Sequence, residues 1–227
     1  MSAAQPFGVS TSCLREHDYW GMRIAAARWY SRAAIELSAL AEDEVDGLFN
    51  YASGDISLKS FDYLSVHGPA KGRKLPEQEL VAKLRRFCPL ADSIVMHPDT
   101  MYDFELYKVL GSSLVVENLD DRKTFGQSVD DLEHVFRQLP AAGFCLDLAH
   151  AKSVDPTMDL AHELAHTFKT RLRQVHLSSI GPDQHHCPLT ESDWVLFQPV
   201  LKHCQDVPWI FEELPSDSIL SSIDPSR

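Results

Sequence analysis

The chain has 227 residues, with 21 Lys and Arg against 33 Asp and Glu, a formal net charge of -12 and a hydrophobic fraction of 44%. This length suits one large domain or two small ones, and the apolar fraction argues against general disorder. No run approaches the roughly 18 apolar residues that cross a bilayer, and residues 1–18 lack the basic and apolar regions of a signal peptide. The acidic excess argues against broad attraction to nucleic acids or anionic membranes.

The five cysteines are spread along the chain and form no CxxC pair. That pattern excludes a zinc ribbon and a paired redox motif, and the odd count argues against a disulfide framework. We therefore expect a cytoplasmic protein.

Short apolar runs alternate with amphipathic segments of helical period along the whole chain. The predicted strands are residues 6–13, 34–38, 61–66, 93–96, 113–116, 143–146, 173–175 and 208–211. The predicted helices are residues 20–31, 42–51, 76–87, 104–110, 129–139, 160–172, 194–203 and 216–223.

Eight strands alternating with eight helices predict parallel βαβ units, and a single (β/α)8 TIM barrel over residues 1–227 is the economical arrangement. The alternative is an open, doubly wound sheet. Such a sheet usually carries GxGxxG or a P-loop in its first turn, and the chain has neither motif. The absence of both motifs favours the barrel.

Polar side chains follow the third to the eighth predicted strand, where a barrel carries its catalytic groups. They are His67, His97, Glu117, Asp147, His176 and Glu212, with His150 one helical turn after Asp147, and Asp183 and His185 in the loop after the seventh strand. Any one of these residues alone would suit a structural role. Four carboxylates buried together would cost several kcal/mol each by order of magnitude, and divalent cations remove that cost.

The donor set contains nitrogen and oxygen ligands and no thiolate, which suits Zn²⁺, Mn²⁺ or Fe²⁺. It is too large for one ion, so two or three ions bridged by carboxylates are expected. A second candidate, His162, Glu163 and His166, matches HExxH. It falls inside the predicted sixth helix on the outer ring, where a solvated helix face is the stronger interpretation.

Two motifs carry a family resemblance: CLDLAHA at residues 145–151 and DQHH at residues 183–186. Together with VHL around His176 and VEN around Glu117, they resemble endonuclease IV of AP endonuclease family 2, within the xylose isomerase-like TIM barrels. The resemblance covers the third to the eighth strand. After DQHH the Gly-rich continuation of the family is replaced by PLTE at residues 188–191, which leaves the substrate less well defined than the metal ligands.

The resemblance implies three zinc ions and water-dependent cleavage of a phosphoester. Its implied ligands are His67, His97 and Glu117 for one ion, Glu117, Asp147, His176 and Glu212 for a second, and His150, Asp183 and His185 for a third. Glu117 would bridge two ions, and Glu212 would be a ligand and a base, so both are expected to be catalytic. Glu213 and His186 stay open as alternatives to their neighbours Glu212 and His185.

Single-metal sugar isomerases and epimerases of the same superfamily also resemble the chain, through Glu117, Asp147, His176 and Glu212. The extra histidines favour a multinuclear hydrolase over this alternative, and a catalytically inactive binding protein is the third hypothesis. The expected substrate is a small phosphorylated or sugar molecule, with abasic DNA as a further candidate. Cations that could hold a phosphate are Lys71, Arg73 and Lys74, and Arg122 and Lys123.

Overall fold

Eight parallel strands close into a barrel in the computed structural model, which describes residues 5–17, 19–71, 74–183 and 185–224. Arg73, one of the candidate phosphate-binding cations, and Gln184 of the DQHH motif lie outside the described residues. The barrel strands are β1 (Phe7–Ser10), β2 (Ala34–Ser38), β3 (Tyr63–His67), β4 (Ser93–Met96), β5 (Leu114–Glu117), β6 (Gly143–Asp147), β7 (Leu172–Leu177) and β10 (Trp209–Phe211). A separate antiparallel pair, β8 (Ser179–Ile180) and β9 (His186–Cys187), follows β7.

The strands follow the order β1-β10-β7-β6-β5-β4-β3-β2, and β2 pairs with β1 to close the ring. The predicted barrel is thus confirmed and the open sheet is excluded, because β1 has a parallel partner on each side. The described helices are α1 (Trp20–Tyr30), α2 (Glu44–Gly54), α3 (Glu77–Arg85), α4 (Phe104–Tyr107), α5 (Val129–Gln138), α6 (Leu148–Val154), α7 (Asp159–Thr167), α8 (Glu191–Leu201) and α9 (Asp217–Ile223). None of these helices is long and apolar enough to span a membrane.

The strands read as nearly continuous apolar runs because both of their faces are buried. One face packs against the surrounding helices, and the other fills the barrel. Val95, Val115 and Cys145 form a small buried cluster apart from the main core. Val115 and Cys145 stand two positions before Glu117 and Asp147 on the same strands, and Val95 stands two positions before His97, which directly follows β4. Side chains along a strand alternate with period two. The cluster is therefore the apolar layer directly below the site.

The main departure from the predicted elements follows β6. A single helix was expected at residues 160–172, but α6 begins directly after Asp147 and α7 ends at Thr167. The Asp147 carboxylate accepts a hydrogen bond from the backbone N–H of His150 at 2.6 Å, which caps the N-terminus of α6. The residues expected to end the helix instead turn into β7, which begins at Leu172.

A pair of glycine substitutions tests the close pairing of β1 and β2. A Cβ atom at Gly8 would lie 2.1 Å from the Ala34 carbonyl oxygen, whereas a Cβ atom at Gly47 in α2 would meet nothing within 4 Å. We expect Gly8→Ala to lower the free energy of unfolding by about 3 kcal/mol or more, because backbone must move. Gly47→Ala is expected to raise it by about 0.5–1 kcal/mol through the better helix propensity of alanine. Urea unfolding measures both, and equal effects would contradict the tight strand pairing.

Candidate metal centre

Two groups of potential metal ligands lie at the C-terminal end of the barrel. The first, here called the Glu117 group, is His67, Glu117, His176 and Glu212. The second, here called the His150 group, is Asp147, His150 and His186. Within each group the ligand atoms lie within 4.8 Å of one another. Parallel strands bring these residues together because their carboxyl ends all open onto the same rim.

Glu117 is the centre of the site. Its Oε2 atom lies 3.1 Å from His67 Nε2 and 3.4 Å from His97 Nε2, and its Oε1 atom lies 3.3 Å from both His176 Nδ1 and His150 Nδ1. The carboxylate is fully buried, and burial alone would raise its pKa. The surrounding imidazoles outweigh burial and hold the pKa of Glu117 well below its usual value.

Hydrogen bonds to the second ring nitrogen orient these imidazoles. The Nδ1 atom of His67 lies 2.8 Å from the Gly68 carbonyl oxygen, so Nδ1–H donates there and Nε2 is the ring nitrogen that faces Glu117. On the opposite side, His176 Nε2 lies 3.0 Å from Glu36 Oε2, and its Nδ1 faces Glu117. Oriented imidazoles of this kind are typical of metal ligands.

Glu36 was not predicted from the sequence. It is fully buried on β2, inside the run AIELS. An ionisable residue within a strand that is otherwise apolar was the available signal, because buried carboxylates require a partner. Glu36 lies inside its strand, so a rule that considers only the residues at strand ends does not identify it.

The His150 group lies beside the Glu117 group. The Asp147 Oδ2 atom is 3.6 Å from His150 Nδ1, is buried, and has no hydrogen-bond partner among the described residues. Burial raises the pKa of Asp147 to about 7. His186 completes this group, and its Nδ1 lies 3.2 Å from Glu212 Oε2 and 2.7 Å from Ser178 Oγ. The two groups therefore meet at Glu212.

The donor chemistry fits divalent cations. Three carboxylates, four imidazoles and no thiolate make up the two groups, a set suited to Zn²⁺, Mn²⁺ or Fe²⁺. The Oδ2 atom of Asp147 and the Nδ1 atom of His97 are buried polar atoms without a hydrogen-bond partner in the described part of the chain. Buried polar atoms of this kind are costly unless a ligand satisfies them.

Seven of the nine predicted ligands lie close together at the rim: His67, His97, Glu117, Asp147, His150, His176 and Glu212. Asp183 and His185 are exposed and lie outside both groups, and Asp183 Oδ1 accepts a hydrogen bond from the His185 backbone N–H at 3.2 Å. His186 reaches the site because it pairs with Ile180 in the β8–β9 hairpin. Glu213 is half-buried and lines the adjoining cavity, whereas Glu212 is in the Glu117 group.

The HExxH segment lies on the outer helix α7, away from this rim. Glu163 and His166 are exposed, and the ring of His162 packs against His203 at 6.3 Å between centroids. Neither potential metal group in the described part of the chain includes them.

A cavity of about 560 Å³ opens over the site. Besides the histidines and Glu212, four cationic side chains line it: Arg15, Lys71, Arg122 and Lys123. Arg122 is held by Asp120, and Lys123 Nζ lies 2.6 Å from Asp99 Oδ2. These cations face the site in a chain whose net charge is -12.

The sequence matches no protein-family model and no curated protein. Similar solved structures include the AP endonuclease, family 2, from Brucella melitensis, with 17% identity, 98% of this chain and 99% of the other covered, and a TM-score of 0.62. Endonuclease IV from Thermus thermophilus has 20% identity, 96% and 95% coverage and a TM-score of 0.57. D-Psicose 3-epimerase from Clostridium cellulolyticum has 15% identity, 98% and 90% coverage and a TM-score of 0.60. The chain has the fold of the xylose isomerase-like (β/α)8 barrels, and at these identities the likeness is one of fold alone.

The two neighbouring histidines of the hairpin provide a matched test. We expect His186→Ala to reduce the number of metal ions bound per chain, because it removes a donor of the His150 group. His185→Ala is expected to leave that number unchanged, because its side chain is exposed and outside both groups. Mass spectrometric metal analysis of both variants measures the difference, and loss of metal only in His185→Ala would reverse the assignment.

Metal binding is expected to release protons. Burial by itself would lower the pKa of both His67 and His150. The Glu117 carboxylate outweighs burial at His67 and raises the pKa of His67 to about 9. The Asp147 and Glu117 carboxylates raise the pKa of His150 to about 10. Both imidazoles of the metal-free protein are therefore protonated at neutral pH, and a metal ion must displace those protons. Zinc affinity should rise with pH up to about pH 10 as these competing protons are lost. Calorimetry in buffers of different ionisation enthalpy counts the protons, and the absence of any release would contradict this picture.

Proposed function

We propose that the protein is a divalent-metal-dependent phosphoester hydrolase of the endonuclease IV type, with two or three ions. Zn²⁺ is the first candidate, and Mn²⁺ and Fe²⁺ are the alternatives. The observation that carries the proposal is the position of Glu117, whose two oxygens contact imidazoles on both sides while the His150 group adjoins it. One ion cannot use so many donors, whereas a bridging carboxylate lets two or more ions share them.

Each proposed ion has its own donors. His67 and His97 with Glu117 Oε2 would hold one ion, and His176 and Glu212 with Glu117 Oε1 would hold a second. A third would be held by Asp147, His150 and His186. Bound divalent ions supply Lewis-acid stabilisation of phosphoryl oxygens and lower the pKa of water.

Glu117 and Glu212 are the proposed catalytic residues. Glu117 would hold adjacent ions in place from below. Glu212 lines the cavity, and burial raises its pKa, which favours proton acceptance from a water molecule near the substrate. Its position between His176 and His186 would keep the carboxylate aimed at the reacting group.

The cavity supports a small anionic substrate. Lys71, Arg122 and Lys123 lie around its wall and would attract and orient a phosphate group. A small phosphorylated molecule, including a sugar phosphate, is the proposed substrate class. Abasic DNA is the second, because the similar structures include an AP endonuclease of family 2 and an endonuclease IV.

A sugar or sugar-phosphate epimerase is the second candidate function. One observation favours it: Asp183 and His185, which the hydrolase resemblance assigns to a third ion, lie outside both ligand groups. A single ion bound by Glu117, His176 and Glu212 would position neighbouring substrate oxygens, and a carboxylate would move the proton. The similarity to D-psicose 3-epimerase is compatible with this alternative.

Metal stoichiometry and substrate panels separate the two functions. For protein purified without chelator we expect two to three equivalents of metal, and phosphate release from phosphomonoesters or cleavage of an abasic-site oligonucleotide. One equivalent with turnover of ketoses would favour the epimerase, and no metal would contradict both.

His67→Ala tests the multinuclear site. It removes a donor to one proposed ion, so we expect it to lose one metal equivalent and most of the activity while the barrel stays folded. His166→Ala on the outer helix α7 is the control and should retain both. Full metal content and activity in His67→Ala would contradict the assignment.

A further inference from the structure

A carboxylate lies beneath the Glu117 group and contacts one of its imidazoles from the far side. Glu36 is on β2 and His176 is on β7, with β1 and β10 between them in the barrel order. The Glu36 Oε2 atom nevertheless lies 3.0 Å from His176 Nε2, and both side chains are fully buried. Glu36 therefore reaches across the inside of the barrel to a residue of the proposed metal site.

Donors on β3 and β7 hold this carboxylate in place. The Ser65 hydroxyl donates to Glu36 Oε2 at 3.0 Å, and the Gln174 side-chain amide donates to the same atom at 2.8 Å. The Tyr63 hydroxyl lies 2.9 Å from Gln174 Oε1, which points the amide oxygen to Tyr63 and the amide nitrogen to Glu36. These hydrogen bonds give the Glu36 carboxylate a defined orientation.

In the neutral ring, a hydrogen bond from His176 Nε2–H to Glu36 corresponds to one of the two tautomers. When Nε2–H donates to Glu36, the lone pair is on Nδ1, which faces Glu117 Oε1 at 3.3 Å and Glu212 Oε1 at 3.5 Å. A metal ligand needs that lone pair, and a carboxylate on the other ring nitrogen both orients the ring and increases its basicity.

Gln174 makes the choice of tautomer depend on Glu36. Its amide nitrogen lies 2.7 Å from His176 Nε2 as well. Without the Glu36 carboxylate, this amide N–H would donate to Nε2, and the ring proton would move to Nδ1, where it blocks a metal ion. Loss of Glu36 would thus favour the tautomer that cannot bind.

We propose that Glu36 is a positioning residue that sets the orientation and tautomer of His176, so that Nδ1 is the nitrogen offered to a divalent ion. The inference rests on the proposed metal site at the Glu117 group. Glu36 acts through His176 and not on the substrate.

The test compares Glu36→Leu and Glu36→Gln with the milder variant Ser65→Ala, which removes one hydrogen bond to the Glu36 carboxylate but keeps the carboxylate that contacts His176. Co²⁺ affinity is measured by chelator competition, the visible spectrum of bound Co²⁺ reports the ligand set, and thermal unfolding of the metal-free chains reports folding. We expect Glu36→Leu to weaken binding of one Co²⁺ ion by about 10–100-fold and to change its spectrum. Glu36→Gln, which keeps a hydrogen-bond acceptor, should weaken it less, and Ser65→Ala, which leaves the carboxylate facing His176, should weaken it least.

A second substitution separates positioning from simple packing. Adding Gln174→Leu to Glu36→Leu removes the competing donor, so the double variant should recover part of the Co²⁺ affinity. Unchanged affinity and spectrum in both Glu36 variants would overturn the inference, as would an equal loss in Ser65→Ala. If Glu36→Leu does not fold, Glu36→Gln decides the matter, with unchanged binding counting against the role. An unaltered chain that binds no Co²⁺ would instead overturn the proposed metal site, and the inference with it.

Discussion

The buried negative charge of Glu117 is the constraint on which the rest of the site depends. A carboxylate removed from water costs several kcal/mol unless charge and hydrogen bonds compensate it. Here imidazoles from β3 and β7 and from the segments that follow β4 and β6 surround it. No single strand could supply these partners, so stabilisation of Glu117 depends on the barrel bringing the carboxyl ends of β3 to β7 together.

The two-residue period of the strands arranges this site in layers. Val95, Val115 and Cys145 form an apolar layer, and His97, Glu117 and Asp147 stand two residues later along the same segments. The apolar layer excludes water from the barrel interior directly beneath the site, which strengthens the electrostatic interactions above it. On the other side of the barrel the same layer is polar, since Glu36 and Gln174 contact each other there. The layer below the site is therefore apolar on one side of the barrel, and on the other side it forms hydrogen bonds with the proposed metal ligand His176.

Two short elements add functional groups to the barrel scaffold. Asp147 ends β6 and caps α6, so the same residue starts the helix that carries His150 into the site. The β8–β9 hairpin likewise brings His186 into the site, where its ring contacts both Ser178 and Glu212. The cations of the cavity come from loops after other strands, which is where barrel enzymes vary most easily.

Much of the fold and most of the site could be predicted from the order of residues. Alternating apolar and amphipathic segments indicate the barrel, and a polar residue after each strand points to the shared rim, because parallel strands must end on the same side. Those rules are local, and they identified Glu117 and its imidazole neighbours. They also placed one helix at residues 160–172 and missed α6, because the cap at Asp147 depends on a side-chain hydrogen bond and not on periodicity.

Other features depend on contacts between segments far apart in the chain. Which of His185 and His186 joins the potential metal ligands is set by the pairing of β9 with β8, and one residue of register turns a side chain to the opposite face. Glu36 and His176 are 140 positions apart and meet only because the barrel closes. The ring nitrogen that His176 offers to a metal ion follows from that meeting, since a histidine's tautomer is determined by the partner of its other nitrogen.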